Sequence, residues 1–171
     1  MSSDMFAALL VFSFVSSITP GPNNLMLLTS GLNFGFVRTI PHMLGIGVGF
    51  VSLLLAVGFG LGALLMAVPQ ASFALKTLGS IYLLYLAWKI AMSRAPASGA
   101  ESEGRPMSFL QAAAFQWVNP KAWVMAVTAM AIYTDPKYPL ASLLLVAFAF
   151  GLVNLPSVSL WAGLGVALRG F

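Results

Sequence analysis

The sequence predicts an all-α integral membrane protein, and three observations support this fold class. The first is composition: 60% of the 171 residues are hydrophobic and 7% are charged, with a mean hydropathy of +0.95. A soluble domain carries roughly 25% charged residues. The second is a series of apolar stretches that reach the length of about 20 residues needed to cross a bilayer. The third is a helix-breaking pentad, Pro20-Gly21-Pro22-Asn23-Asn24, inside the first stretch.

The first predicted helix covers residues 6–32 and is interrupted at its centre. A helix of this length would extend about 40 Å, whereas the hydrocarbon core is about 30 Å thick. Pro20 and Pro22 each remove a main-chain N–H, so the helix is expected to break there. Freed main-chain groups at membrane depth are tolerated only where they are buried in protein or line a cavity. The pentad therefore predicts a polar site in the middle of the membrane.

The second predicted helix covers residues 42–68, after a loop expected at residues 33–41. It is rich in glycine, and its small-xxx-small pairs Gly45/Gly49 and Gly58/Gly62 would let another helix approach closely. The same pairs leave room for a homodimer.

Three more helices and a linker are predicted in the rest of the chain. A third helix is expected over residues 73–92, followed by a hydrophilic linker at residues 93–106. The fourth helix, residues 107–132, is interrupted by Asn119-Pro120-Lys121, and the fifth covers residues 140–168 after a turn. The domains are therefore residues 1–92, the linker, and residues 107–171.

Basic residues in the connections predict the orientation. Arg38, Arg94, Arg105 and Arg169 follow the first, third and fifth helices, whereas the other connections hold only Lys76 and Lys137. Because basic residues in short loops tend to stay in the cytoplasm, we expect a cytoplasmic linker and an N-terminus outside the cell.

The two halves are related by an internal repeat. Aligning Gly21-Pro22-Asn23 with Asn119-Pro120-Lys121 also aligns the second helix with the fifth. Halves that begin three helices apart enter the membrane in opposite directions, so the pattern is a 3+3 inverted repeat with interrupted helices 1 and 4. Such repeats are typical of transporters whose site lies between the breaks. Chance alignment of two apolar, proline-containing helices is the alternative.

The second half lacks a counterpart of the third helix. Five transmembrane helices are thus present of an expected six, and a truncated or naturally shortened form is a further alternative.

The motif Thr19-Pro20-Gly21-Pro22-Asn23, followed by Gly35-Phe36, Arg38 and a glycine-rich helix, resembles the opening of the LysE/RhtB family of lysine and threonine/homoserine exporters. Residues 115–123, with their Asn119-Pro120-Lys121 core, resemble that family's fourth helix. The similarity runs along essentially the whole chain. It implies six spans in the bacterial inner membrane and export of an amino acid against inward proton movement. The absent sixth span departs from that pattern.

The expected substrate site consists of both breaks: Pro20, Gly21, Pro22, Asn23, Asn24, Asn119, Pro120 and Lys121. Lys121 is about 18 Å from either end of its predicted helix, too far for a side chain of about 6 Å to reach water. A central lysine costs roughly 2.5–3.5 kcal/mol on insertion scales, which favours a site facing the bundle. Lys121 would attract a substrate carboxylate, or gain and lose a proton.

The other residues of the breaks have structural alternatives. A new helix beginning near Asn23 would offer free N–H groups and a positive dipole end to a carboxylate, whereas a packing kink would explain the prolines alone. Asn23, Asn24 and Asn119 either bind substrate or cap the broken helices. Asn154 is expected to hold helices together, and the four tryptophans to pack or form a belt.

Four residues are candidates for proton coupling or gating: Lys121, His42, Asp135 and Arg38. A histidine can titrate near neutral pH. The alternatives are a structural histidine at a helix start, turn chemistry for Asp135 before Pro136, and an orientation signal for Arg38. No carboxylate is expected in the membrane core.

The sequence predicts a secondary transporter that exports an amino acid or a derivative by alternating access, with the two broken helices rocking around a central site. Another small-solute carrier, a channel of the same architecture, or an inactive truncated form are the alternatives. An intramembrane enzyme is not supported, because the sequence has neither a His-Glu-x-x-His motif nor paired carboxylates at membrane depth.

The expected partners are the amino acid and the lipid bilayer. The net charge of +4 is spread along the chain, so nucleic-acid binding is not expected. With no cysteine and one histidine, no metal or other cofactor is expected.

Overall fold

The computed structural model describes residues 1–68 and 105–170, with scattered helical positions between residues 70 and 88. Every regular element in these ranges is a helix, as the composition predicts. Most of the predicted third helix and of the linker at residues 93–106 lies outside the described residues.

The first predicted helix is broken where the sequence indicates. Helix α1 spans Ser3–Ile18 and α2 spans Pro22–Phe34, and the two are bent by 56°. Pro22 takes the first position of α2. An N–H there would have no partner within the helix, so its absence costs no hydrogen bond, and the fixed φ of proline suits a helix. The break is therefore confirmed, and it lies between two helices of 16 and 13 residues.

The loop predicted at residues 33–41 is wrong. Helix α3 spans Phe36–Ala56, so only Gly35 separates it from α2. Gly35 has a φ of +83°, a conformation open to glycine, and it turns the chain in one residue. Pro41 lies inside α3, where its ring is compatible with helical φ and removes a single main-chain hydrogen bond near the start.

The second predicted helix continues beyond α3 with a kink. The helix widens into a π-helical turn over Val57–Leu61, where Gly60 has a φ of +105°, and α4 follows over Gly62–Ala67. A widened turn of this kind bends a helix.

The fourth predicted helix is also broken at its motif. Helix α5 spans Phe109–Gln116 and α6 spans Pro120–Tyr133. Pro120 takes the first position of α6, as Pro22 does in α2. The two residues that the repeat aligns therefore have the same structural role. Helix α7, Pro139–Ala167, follows a short turn and matches the fifth predicted helix within one residue.

Helix α7 packs against α1, α2, α3 and α6 and so occupies the centre of the described bundle. Glycines set the closest approaches. A Cβ at Gly31 or Gly165 would overlap main-chain atoms across the α2–α7 contact. A Cβ at Gly49 would lie 2.6 Å from Ala113 of α5, and one at Gly45 would overlap Phe109.

Close approach at the first small-xxx-small pair is thus confirmed, but it occurs within the chain. Gly45 and Gly49 are covered by α5 and do not form an open surface. Gly58 faces the side chain of Leu143 and Gly62 faces Val57, so the second pair is not a contact between two helix backbones. The homodimer stays a prediction.

Among the described residues, two helical stretches are each long and apolar enough to cross a membrane: Phe36–Leu61, with 26 residues, and Pro139–Ala167, with 29. The bent pair α1 and α2 would form a third span. The all-α membrane fold is therefore confirmed. The full span count, the division into domains and the inverted relation of the halves stay predictions.

Candidate functional site

The two helix breaks contact each other directly. The side-chain ammonium of Lys121, at the start of α6, donates a hydrogen bond of 2.6 Å to the carbonyl oxygen of Thr19, in the first break. Gly21 lies under the same side chain, where a Cβ would be 2.8 Å from Lys121 Cδ and 3.2 Å from Nζ. The structure thus brings the two sequence motifs together.

Side chains satisfy the carbonyl groups that the first break frees. Asn24 Nδ2 donates to the carbonyl oxygens of Ser17 and Thr19, at 2.9 and 2.8 Å. Trp161 Nε1, from α7, donates to the carbonyl oxygen of Ile18 at 3.0 Å. These bonds replace the helical partners that the three carbonyls lose where the helix breaks, at Ile18 because Pro22 has no N–H. Asn24 therefore caps a broken helix, and Trp161, expected as a belt or packing residue, also stabilises the break.

The second break has a similar set of bonds. Asn119 Oδ1 accepts a hydrogen bond of 3.1 Å from the main-chain N–H of Lys121 and so caps α6. Trp123 Nε1 donates to the carbonyl oxygen of Trp117 at 2.8 Å.

Asn23 makes a reciprocal pair of hydrogen bonds with Gln116, the last residue of α5. Asn23 Nδ2 donates to Gln116 Oε1 at 2.8 Å, and Gln116 Nε2 donates to Asn23 Oδ1 at 3.0 Å. The Gln116 side chain is 0% exposed. Sequence reasoning missed this residue, although a glutamine one turn before Asn119-Pro120 in an apolar helix is a signal that a polar partner faces it.

A cavity of about 30 Å³ lies between the breaks. Gly21, Asn23, Asn24, Asn119 and Lys121 all line it, so five of the eight predicted substrate-site residues surround one space. The three prolines do not line it and instead shape the breaks. The volume admits one or two water molecules but no amino acid. The cavity is therefore smaller than an amino acid in this structure.

Ser17 of α1 and Asn154 of α7 also line the cavity. Asn154 is expected to hold helices together by hydrogen bonding, yet its Oδ1 atom has no partner among the described residues. The Ser17 hydroxyl has none either within that part of the chain.

Three of the predicted coupling residues lie away from this cavity. Arg38 is exposed in the first turn of α3, and His42 is buried one turn later, with neither ring nitrogen bonded to a described residue. Asp135 lies in the turn before α7, where its Oδ1 accepts a hydrogen bond of 2.9 Å from the N–H of Lys137. Turn chemistry thus accounts for Asp135, and Lys121 is the one candidate of the four that lines the cavity.

Comparison with known proteins identifies the family. The family model described as LysE type translocator matches residues 14–168. The cysteine/O-acetylserine efflux protein of Escherichia coli (strain K12) is 32% identical over 138 residues, which cover 80% of this chain and 69% of that protein. The protein of the same description from Shigella sonnei (strain Ss046) gives the same values. No solved structure matches the chain. The chain therefore belongs to the LysE type translocator family and is a transporter of the bacterial inner membrane rather than an enzyme.

Proposed function

We propose that this chain exports an amino acid with a small, uncharged side chain, or a close derivative. We propose further that the cavity between the two breaks is its substrate site. The observation that carries the proposal is the contact of Lys121 with the carbonyl oxygen of Thr19. It joins two motifs that are 102 positions apart in the sequence and puts a cation beside the cavity.

The carboxylate of the substrate would bind at Lys121 and at the start of α2. Gly21, at the N-cap of α2, has no side chain to accept bonds from the first N–H groups of that helix. Those groups and the helix dipole attract an anion. A carboxylate is a stronger acceptor than the neutral carbonyl of Thr19, so it can take over the bond from Lys121.

The rest of the cavity favours a short, uncharged side chain. Ile46, Phe50 and Met125 line it, and none of the described residues around it is acidic. A lysine-like substrate would place a second cation there without a counter-charge, which is unfavourable in a largely buried site. Export of cysteine and O-acetylserine by relatives supports a substrate of this size and charge.

Alternating access would arise from movement between two helix pairs. Glycine contacts hold α2 to α7 and α3 to α5. The Asn23–Gln116 amide bonds join α2 of one pair to α5 of the other, and the Lys121–Thr19 bond joins α6 to the end of α1. Rocking of one pair against the other, with sliding at the α3–α7 contact, would break these polar bonds and open the cavity while the glycine contacts persist.

Export against inward proton movement needs a group that releases its proton when substrate binds. Lys121 does not meet this requirement if it holds the carboxylate as a cation, because substrate and proton would then bind together. We therefore assign the coupling to His42, whose imidazole is buried in α3 with both nitrogens unbonded to described residues.

The test is uptake of labelled amino acids into inverted membrane vesicles, with and without an imposed pH gradient. The proposal requires saturable uptake of cysteine, serine or O-acetylserine, greater with the gradient, and little uptake of lysine. Uptake that rises without saturation would indicate a channel and overturn the carrier mechanism. Preference for lysine would overturn the assigned substrate class.

A further inference from the structure

We infer that Ser17 and Asn154 form the part of the cavity that recognises the ammonium group of the transported amino acid. This assignment rests on the proposed function, since it concerns how the same cavity selects its substrate. Its basis is two polar atoms that the fold buries and leaves unbonded, Ser17 Oγ and Asn154 Oδ1.

The Ser17 hydroxyl differs from those of Ser13 and Ser16 in the same helix. Ser13 donates to the carbonyl oxygen of Leu9 at 2.8 Å, and Ser16 donates to that of Phe12 at 2.6 Å. These back-bonds are the usual solution for a serine in an apolar helix. Ser17 is 5% exposed, and its hydroxyl makes no bond with any described residue. Asn24 Nδ2 donates to the main-chain carbonyl oxygen of Ser17 and not to its hydroxyl.

Asn154 is the second unbonded group. It lies in the middle of α7 and is 7% exposed, and its Oδ1 has no partner among the described residues. The neighbouring position on α3 is Gly47, where a Cβ would still be 3.9 Å from this oxygen. Buried polar atoms in proteins are nearly always bonded, so two free oxygens lining one cavity indicate a ligand with hydrogen-bond donors.

The chemistry of the cavity then separates into two parts. Lys121 and the start of α2 offer donors and positive charge, which suit a carboxylate. Ser17 and Asn154 offer oxygen acceptors, which suit an ammonium group with its three donors. An α-amino acid carries both groups on one carbon, so it is the ligand that this arrangement fits.

Neutral oxygens at the ammonium end have a further consequence. A carboxylate there would bind any organic cation by charge alone, whereas an amide and a hydroxyl bind only when hydrogen-bond geometry is met. The two residues would therefore reject analogues in which the ammonium group is removed or acylated.

The test uses inverted vesicles whose membrane contains the full chain. It measures how strongly unlabelled compounds inhibit the uptake of labelled cysteine. The competitors are mercaptopropionate, which lacks the amino group, N-acetylcysteine, and cysteine methyl ester, which lacks the carboxylate. The wild-type chain should be inhibited by unlabelled cysteine far more strongly than by any of the three. The Ser17→Ala/Asn154→Leu double variant should raise the KM for cysteine about tenfold and lose its preference for cysteine over mercaptopropionate.

Controls separate recognition from folding. Ser13→Ala removes a hydroxyl that is equally buried in α1 but already bonded, and it should keep the wild-type preference. Asn154→Asp keeps acceptor oxygens and should also retain discrimination against mercaptopropionate. The double variant should still be inhibited more strongly by cysteine than by the methyl ester. That competitor lacks the carboxylate, which is proposed to bind at Lys121 and not at Ser17 or Asn154.

Two outcomes overturn the inference in distinguishable ways. If the double variant transports cysteine and still rejects mercaptopropionate, Ser17 and Asn154 do not recognise the ammonium group, while the proposed export stands. If wild-type vesicles take up no labelled amino acid, the proposed function fails and the ammonium site fails with it.

Discussion

Lys121 and Thr19 are joined by a hydrogen bond of 2.6 Å between the side-chain ammonium of one and the main-chain carbonyl of the other. The bond links the start of α6 to the end of α1, so the cation of one break satisfies a carbonyl freed by the other. In the proposed mechanism, a substrate carboxylate would compete for the same ammonium group. Binding of substrate would then release the contact between the two breaks, which would couple occupancy of the site to movement.

Gly21→Ala should weaken transport without unfolding the chain. The φ of Gly21 is −173°, which any residue adopts, so the backbone is not strained by a side chain. The new Cβ would lie 2.8 Å from Cδ of Lys121 and push that flexible side chain off the Thr19 carbonyl. We expect the KM for the transported amino acid to rise about tenfold while the thermal midpoint in detergent stays near the wild-type value. A wild-type KM would contradict the placement of Lys121.

The Asn23–Gln116 amide pair can be measured with a double-mutant cycle. Asn23→Ala and Gln116→Ala should each lower the free energy of unfolding, and Gln116→Ala should do so more, because Gln116 also donates to the carbonyl of Ala112. The coupling energy should be about 1 kcal/mol, within the range of polar contacts between membrane helices. Strictly additive effects in detergent unfolding would show that the two amides do not interact.

Gly165→Ala should loosen the contact between α2 and α7. A Cβ at Gly165 would overlap the carbonyl oxygen of Leu28 and lie 2.8 Å from the main-chain N of Leu32, and main-chain atoms have little room to yield. We expect a loss of about 1–3 kcal/mol in unfolding free energy.

Gly163 provides the matched control two residues away on the same helix. Apart from the nearby backbone of α7 itself, no atom of the described residues lies within 4 Å of a Cβ placed there, so Gly163→Ala should be neutral or raise stability by about 0.5–1 kcal/mol. Equal effects of the two substitutions would mean that α2 and α7 are not in close contact at this point.

His42→Gln tests the assignment of proton coupling. Glutamine keeps a polar side chain in α3 but does not titrate, so uptake should persist while its stimulation by a pH gradient disappears. The measurement is the ratio of initial uptake rates with and without the gradient in inverted vesicles. Full stimulation in the variant would remove His42 from the coupling and leave the carrier mechanism in place.

The sequence was sufficient to locate both breaks, because proline acts locally. Pro22 and Pro120 begin helices in the structure for the reason that the sequence indicates: each lacks an N–H and has a φ suited to a first helical turn. The same local rule failed at Pro41, which the helix accommodates near its start. Whether a proline ends a helix or sits inside it depends on surroundings that its own position does not reveal.

The partners within the site could not be predicted in the same way. Gln116 and Trp161 bond to residues 93 and 143 positions away, and contacts at such separations have no local pattern in the sequence. Nor does the sequence indicate that the unbonded Ser17 hydroxyl lines the cavity. Asn154 was noticed as a polar residue in an apolar helix, but only the structure shows that its oxygen is unbonded and lines the cavity. These roles depend on how the helices pack together and not on the local helix propensity of each residue.

The most direct test of the central claim is cysteine uptake by the Lys121→Ala variant in inverted vesicles. Lys137→Ala, in the exposed turn before α7, is the control with the same change of charge. Loss of a charged hydrogen bond to substrate should raise KM about tenfold to a hundredfold in Lys121→Ala, with the protein still folded, and leave Lys137→Ala unchanged. Equal KM values in wild type and Lys121→Ala would contradict a substrate site between the two helix breaks.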